Sequence, residues 1–361
     1  MRANAISKLD RQLELIKPDP IFPSTRFQGS KLKIADWIWE AVQQLDFDSA
    51  LDVFGGTGSV GYMFKKKGKL VTYNDILKFN WYIALALIEN ESIQVSQDDI
   101  NFVLNRQARV KYPTFIHDTF QDIYFTDKEN LWIDMVAANI RQLDHVYKKA
   151  LAYFALFQSC ISKRPFNLFH RKNLYLRQSE VARNFGNKTT WDTPFEVHYR
   201  KFIKEANRAV FSNGRENRCL NADVFDVEGN FDLVYIDTPY ISRNGVGVDY
   251  LSFYHFLEGL VNYENWPEMI NNRTKHKRLK GQDCIAIWTD KKRIHSAFDQ
   301  LFKKFRNSIL IISYRSDGIP SVEELVSLLK KYKQNIQEIK RKNYKYVLST
   351  NHSEEILLIG T

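Results

Sequence analysis

The stretch Phe231-Asp232-Leu233-Val234-Tyr235-Ile236-Asp237-Thr238-Pro239-Tyr240 constrains the fold more than any other. Leu233 to Ile236 are four apolar residues, two of them β-branched, with turn chemistry on both sides. That is the pattern of a buried parallel strand, and it implies an α/β sheet covered by helices. Asp237 then stands at the carboxyl end of the strand, where open α/β sheets place their ligands. Pro239 fixes its own φ and lacks an N–H, so the chain bends stiffly there. The bend leaves the Thr238 carbonyl as an outward acceptor, and Tyr240 adds a flat face. Carboxylate, carbonyl and aromatic face together suit a planar heterocycle that carries an amino group.

Earlier in the chain, Leu51-Asp52-Val53-Phe54-Gly55-Gly56-Thr57-Gly58-Ser59-Val60-Gly61 runs a short strand into a glycine turn, and a helix follows. Gly56, Gly58 and Gly61 satisfy G-x-G-x-x-G, which lets the backbone approach a ligand at a helix N-terminus. A further strand, Leu70 to Tyr73, ends in Asn74-Asp75. Asp75 lies 17 residues beyond Gly58, close to the offset of an acid that holds ribose hydroxyls. Residues 51 to 75 therefore read as a βαβ nucleotide site. Asp52 selects among nucleotides. An acid just before the turn repels a pyrophosphate but attracts a cationic amino group, which S-adenosylmethionine carries. Upstream, Arg26-Phe27-Gln28-Gly29-Ser30-Lys31 is a glycine turn feeding a helix whose Ala35, Ile38, Trp39 and Val42 share one face.

With 361 residues there is room for two domains, or for one with a large insertion. A formal charge of +10 favours a polyanionic partner. The charge collects in two segments. Between 163 and 204, Lys163, Arg164, Arg171, Lys172, Arg177, Arg183 and Lys188 are interleaved with Phe166, Phe169, Tyr175, Phe185 and Trp191. Between 273 and 280, Arg273, Lys275, Lys277, Arg278 and Lys280 follow closely on one another. Cations among aromatics fit phosphate contact combined with stacking or base-edge contact; the plain alternative is a solvated basic face. Helical patterns occupy 77–88, 131–143, 147–161 and 253–263. Further strands are expected at 218–225, 283–289, 308–314, 344–349 and 355–359, the last two as an antiparallel hairpin turning at Asn351-His352. Cys160, Cys219 and Cys284 have neither disulfide nor zinc spacing, so no metal is expected and a reducing compartment is implied. There is no signal-peptide h-region and no apolar run of roughly 18 residues, which points to a cytoplasmic protein away from membranes.

In this order the motifs resemble those of the Dam-like alpha-class adenine-specific (N6) DNA methyltransferases, and the resemblance covers most of the chain. Arg26 to Lys31 resembles the N-terminal R-[WYF]-x-G-[GS]-K motif, Asp52 to Gly58 resembles D-x-F-x-G-x-G, and Asp237-Thr238-Pro239-Tyr240 resembles D-P-P-Y. Thr238 departs from the family pattern, which has proline there. The resemblance implies a Rossmann-like methyltransferase sheet with an antiparallel C-terminal hairpin. Residues 1–90 and 215–361 would form the catalytic domain, and 91–214 a mainly helical inserted DNA-recognition domain. It implies S-adenosylmethionine held by Phe27, Lys31, Asp52, Phe54, Gly56, Gly58, Asp75 and Asp223, with catalysis at Asp237, Thr238, Pro239 and Tyr240. It also implies duplex DNA contacted through Lys163, Arg164, Arg171, Lys172, Arg273, Lys275, Lys277, Arg278 and Lys280. A bacterial or phage-type modification enzyme is expected, with a cognate restriction endonuclease as a candidate partner.

The chemistry follows from the residue types. The lone pair of an exocyclic amine is delocalised into the base. Hydrogen bonds from the amine to Asp237 and to the Thr238 carbonyl favour a pyramidal, more nucleophilic nitrogen, and positioning supplies much of the rate. The base must leave the duplex to reach such a site. Cytosine-5 methylation needs a cysteine nucleophile, commonly after a proline, and none of the three cysteines follows one. The rivals are cytosine-N4 methylation, RNA adenine methylation, a non-catalytic nucleic-acid-binding module and a dinucleotide dehydrogenase. The last leaves Asp237 to Tyr240 without a role.

Overall fold

The computed structural model describes residues 19–180, 188–341 and 354–361. Its main sheet has seven strands: β1 (Ser49–Asp52), β2 (Leu70–Asn74), β3 (Arg218–Leu220), β4 (Leu233–Ile236), β6 (Ile309–Arg315), β8 (Ile336–Arg341) and β9 (Glu355–Gly360). Two short strands, β5 (Ile241–Ser242) and β7 (Gly318–Ile319), pair separately beside it. The order across the main sheet is β3-β2-β1-β4-β6-β9-β8. The first five strands run parallel, and β9 is antiparallel to both β6 and β8. The order reverses between β1 and β4. Connections on either side lead away from that point, which leaves a crevice at the strands' carboxyl ends.

Alternation along the strands separates two cores. Ala50, Val71, Leu233, Tyr235 and Ile311 face one side; Leu51, Val234, Ile236, Leu310 and Ile312 face the other. Both sides are fully covered, as a parallel sheet requires. On the first side lie α1 (Ala35–Val42), α2 (Ser59–Lys66), α3 (Lys78–Ala84), α4 (Asp127–Gln142), α5 (Val146–Ser162), α6 (Phe195–Ala209) and α7 (Tyr250–Val261). Helix α3 continues into a π turn, Leu85–Glu89. On the second side lie α8 (Ile294–Lys304) and α9 (Val322–Leu329). The helices between 91 and 214 share one continuous apolar core with the first side of the sheet. Helix α5 is buried without a break from Ala150 to Ser162, which explains the apolar run from Ala150 to Phe157. Helix α4 starts at a capping box in which Thr126 and Glu129 satisfy each other's backbone N–H groups.

Most expected elements occur within a few residues of their predicted limits. The segment 283–289 does not. In place of a strand it forms a helical turn, Asp283–Ala286, running into a 3-10 turn, Ile287–Thr289. Its apolar residues pack across the sheet's end: Trp288 meets Phe54 edge-on at 4.8 Å and stacks on Phe225 at 6.1 Å. A short apolar run fits either conformation, and here the side-chain contacts decide. The strand expected at 218–225 stops at Leu220, because Asp223 caps a 3-10 turn through Phe225 N at 3.0 Å. The expected strand 344–349 and the turn at Asn351-His352 lie outside the described residues, as do Arg183 and Phe185; β8 is the strand that pairs with β9.

Candidate active site

The glycine turn is built against β2. Gly55 N donates to Asn74 O at 2.9 Å, and a Cβ at Gly55 would sit 2.0 Å from the Tyr73 ring. Gly58, at φ 73°, is the left-handed residue from which α2 starts. Asp52 ends β1 and accepts Gly61 N at 2.9 Å. Asp75 follows β2 and accepts Gly56 N and Leu77 N at 2.9 and 2.8 Å, one on each oxygen. Asp75 thus holds the turn in place. The Asn80 side chain also bonds Asp75, which leaves about one of the carboxylate's roughly four lone-pair sites.

Asp52, Asp75, Asp223 and Asp237 open onto one crevice of about 1050 Å³, its mouth included, and Lys31 is the one basic residue among its described walls. Burial raises Asp52 to about 8, against the hydrogen bond from Gly61. Burial likewise raises Asp75 to about 6 and Asp237 to about 6. Burial thus favours the neutral form of these carboxyls, and a cation bound beside them would favour the ionised form. This lining suits a ligand with an ammonium and a sulfonium, and it opposes a pyrophosphate. Phe27, Phe54 and Gly56 also line the crevice, together with Tyr250, Ile285 and Trp288. The last three carried no signal in the sequence. Trp288 lies in the segment read as a strand, and Tyr250 follows a glycine-containing loop with no pattern of its own.

At the far side of the switch point, Asp237 and Pro239 form part of the same wall. Lys31 Nζ lies 3.1 Å from Asp237 Oδ1 and 3.0 Å from Glu355 Oε1. Lys31, expected among the cofactor ligands, therefore lines the crevice while bridging two carboxylates. Glu355, absent from the sequence reading, is fully buried at the start of β9 and also accepts Ser313 Oγ at 2.5 Å. Thr238 is buried, and its hydroxyl has no hydrogen-bond partner among the described residues. The Arg315 guanidinium sits 4.6 Å from the Tyr240 ring centre, and Val248 N ties down the Tyr240 carbonyl at 3.1 Å.

The basic residues divide. Arg171, Lys172, Arg273, Lys275, Arg278 and Lys280 are exposed, and Lys277 is half-buried. Lys163 and Arg164 are 2% and 1% exposed, which rules out the DNA contact expected of them. Lys163 Nζ donates to Thr193 O at 2.7 Å and pairs with Glu129 at 3.0 Å. Arg164 donates to the carbonyls of Leu168, Tyr124 and Arg171 and to Asn173 Oδ1. Burial pulls its guanidinium down to about 9. Arg177 is likewise buried, paired with Glu129. The alternation of cations with aromatics marked an interior node here, with Arg164 4.4 Å from the Tyr124 ring centre.

That node joins the two basic segments. The Tyr124 hydroxyl lies 2.6 Å from Phe169 O, 2.8 Å from His276 O and 2.7 Å from His255 Nε2. Helix α7 carries His255 to this node, while its Tyr250 and Tyr254 reach the crevice. One helix thus links the exposed cations of both segments to the wall that bears Asp237.

Residues 27–306 match the family profile of the D12 class N6 adenine-specific DNA methyltransferases. The chain is 29% identical to the type II methyltransferase M2.HphI of Haemophilus parahaemolyticus, over 94% of this chain and 98% of that protein. It is 26% identical to the type II methyltransferase M.FokI of Planomicrobium okeanokoites, over 85% of this chain and 47% of that protein. It is 23% identical to the modification methylase LlaI of Lactococcus lactis subsp. lactis, over 91% of this chain and 52% of that protein.

Proposed function

The chain belongs to the D12 class of N6 adenine-specific DNA methyltransferases, and we propose that it methylates adenine N6 at a specific duplex site as the modification enzyme of a restriction–modification system. One observation carries the residue assignment: Asp237 and the glycine turn open onto a single crevice at the switch point. An amine resting on Asp237 lies beside whatever the turn holds. S-adenosylmethionine, which the family uses, supplies an electrophilic methyl on a sulfonium.

The chain's own residues do the rest. Asp52 complements the ammonium of the bound cofactor, Asp75 the ribose, and Phe27, Phe54 and Trp288 the apolar parts. Asp237 and the Thr238 carbonyl accept the two N–H groups of the amine and turn its lone pair toward the crevice. Tyr240, backed by Arg315 on one face, offers a ring for the extruded base. Extrusion costs about a few kcal/mol, which contacts to phosphates offset. Residues 91–214, with the 273–280 segment, supply the recognition surface through Arg171, Lys172, Arg273, Lys275, Arg278 and Lys280. A cognate restriction endonuclease is the corresponding partner.

The test is tritiated methyl incorporation into duplex DNA, followed by nucleoside analysis. N6-methyladenine is expected, and Asp237→Ala should abolish it while leaving cofactor affinity nearly intact. Methylated cytosine as the product, or full activity in that variant, overturns the reading.

A further inference from the structure

We propose that Glu355 is a positioning residue for methyl transfer, holding the Lys31 ammonium with Ser313 so that Asp237 meets the amine in one fixed geometry. The inference rests on the assignment of Asp237 to the amine. Glu355 lies outside the 27–306 span that matches the family. It is fully buried, and β9, which carries it, runs between β6 and β8. Lys31 Nζ stands 3.0 Å from its Oε1 and 3.1 Å from Asp237 Oδ1. Ser313, on the neighbouring β6, donates to the same Oε1 at 2.5 Å.

Two carboxylates on one ammonium is a costly arrangement in the interior, and holding Lys31 in place requires only one of them. The second has an electrostatic consequence. A lone Lys31–Asp237 pair is neutral, and the ammonium draws the carboxylate's lone pairs away from an incoming amine. With Glu355 sharing the ammonium, the group of three keeps one net negative charge. That charge faces the nitrogen on which positive charge develops as the methyl arrives. Preorganised charge of this kind, already in place before reaction, is an effective form of transition-state stabilisation.

The other groups facing Asp237 are known. Asp52 approaches from β1, Tyr235 from β4 and Tyr250 from α7. Tyr240 adjoins it in the same loop, with Arg315 over its ring and paired to Asp317. Burial holds the Asp237 carboxyl above the ordinary range; Lys31 works against this and Glu355 adds to it.

Single-turnover methyl transfer across pH 5 to 9 reads the effect, with cofactor and DNA affinities measured alongside. Glu355→Gln keeps a hydrogen-bonding group of the same size and removes the charge. The expected result is parent-like affinity, a plateau rate lower by roughly tenfold, and an acid limb displaced to lower pH. Glu355→Asp, which restores the charge, should return the limb to the parent's position and recover part of the rate. A Glu355→Gln enzyme with the parent's rate and limb overturns the inference. Should that variant not fold, Ser313→Ala, which frees Glu355 from its second anchor, must slow transfer; an unchanged rate there overturns it equally. A parent enzyme that transfers no methyl to adenine overturns the functional reading itself, a separate result from an active parent indifferent to Glu355.

Discussion

Thr238 is the residue at which the chain departs from the D-P-P-Y pattern, and on the proposed mechanism the departure should be tolerated. The position contributes a backbone carbonyl, and its hydroxyl is buried with no hydrogen-bond partner among the described residues. Thr238→Val keeps the branched shape and removes the unpaired hydroxyl. It should leave methyl transfer unchanged and raise stability by about 1 kcal/mol, read from the urea midpoint. A large loss of activity would mean that the hydroxyl touches the base. At Asp237 the expectation is the opposite. Removing a charged acceptor from the amine should cost about 3 kcal/mol or more, on the order of a hundredfold in rate. Because burial lifts this carboxyl to about 6, the parent's rate should fall as the pH drops through that value, where the acceptor becomes protonated. The residues Asp52, Asp75 and Asp237 were legible because each terminates a strand read from its apolar run. Glu355 was not, because its partner Lys31 lies at the other end of the chain and no local pattern records such a pairing.

Among the elements, legibility followed burial. β4 was recognisable to the residue from four apolar positions, and α5 from the helical pattern at 147–161. The 283–289 segment was misread because its apolar residues serve as a lid on the sheet's end, where helical turns fit and a strand would find no neighbour. The cation–aromatic pattern in 163–177 was ambiguous for a related reason. A guanidinium over an aromatic ring packs an interior as well as it binds a base, and Arg164 does the former. The two kinds of arginine should separate in experiment. Arg164→Ala takes a donor from the buried Leu168 carbonyl and Asn173 Oδ1 and from the half-buried Arg171 carbonyl, and should destabilise the fold by roughly 3 kcal/mol or more, measured by denaturant unfolding. Replacing Arg171, Lys172, Lys275 and Lys280 with alanine should leave stability nearly untouched. DNA binding by that variant should weaken and its salt dependence flatten. Unchanged DNA affinity would place the recognition surface elsewhere.

For the whole molecule, the acids around the crevice set a pH dependence. Asp52 at about 8, Glu258 at about 7 and Asp75 at about 6 are all raised by burial above their unfolded values. Between pH 4 and 8 these three acids hold more protons in the folded chain than in the unfolded one, so their contribution to stability falls as pH rises; His255 and His170, lowered by burial to about 3 and about 4, contribute in the opposite sense. A bound cation at Asp52 opposes that trend by favouring the ionised form. S-adenosylmethionine should raise the melting temperature more at pH 8 than at pH 6, because ionised Asp52 is more available at the higher pH. Calorimetry in buffers of different ionisation enthalpy should record proton release on binding. The same stabilisation by S-adenosylmethionine at pH 6 and pH 8 would contradict the buried-acid account.

The place of β9 has a consequence in time as well as in space. It is the last of the described strands, yet it enters between β6 and β8 and brings Glu355 against Lys31, near the start of the described residues. During synthesis the glycine turn, the Asp237 loop and the basic segments all emerge before the carboxylate that completes the ammonium's surroundings. A ribosome-bound chain would thus present a cofactor crevice and a DNA-binding face while its amine-binding corner is still unfinished. On the proposed reading, docking of β9 would be the step that completes this corner.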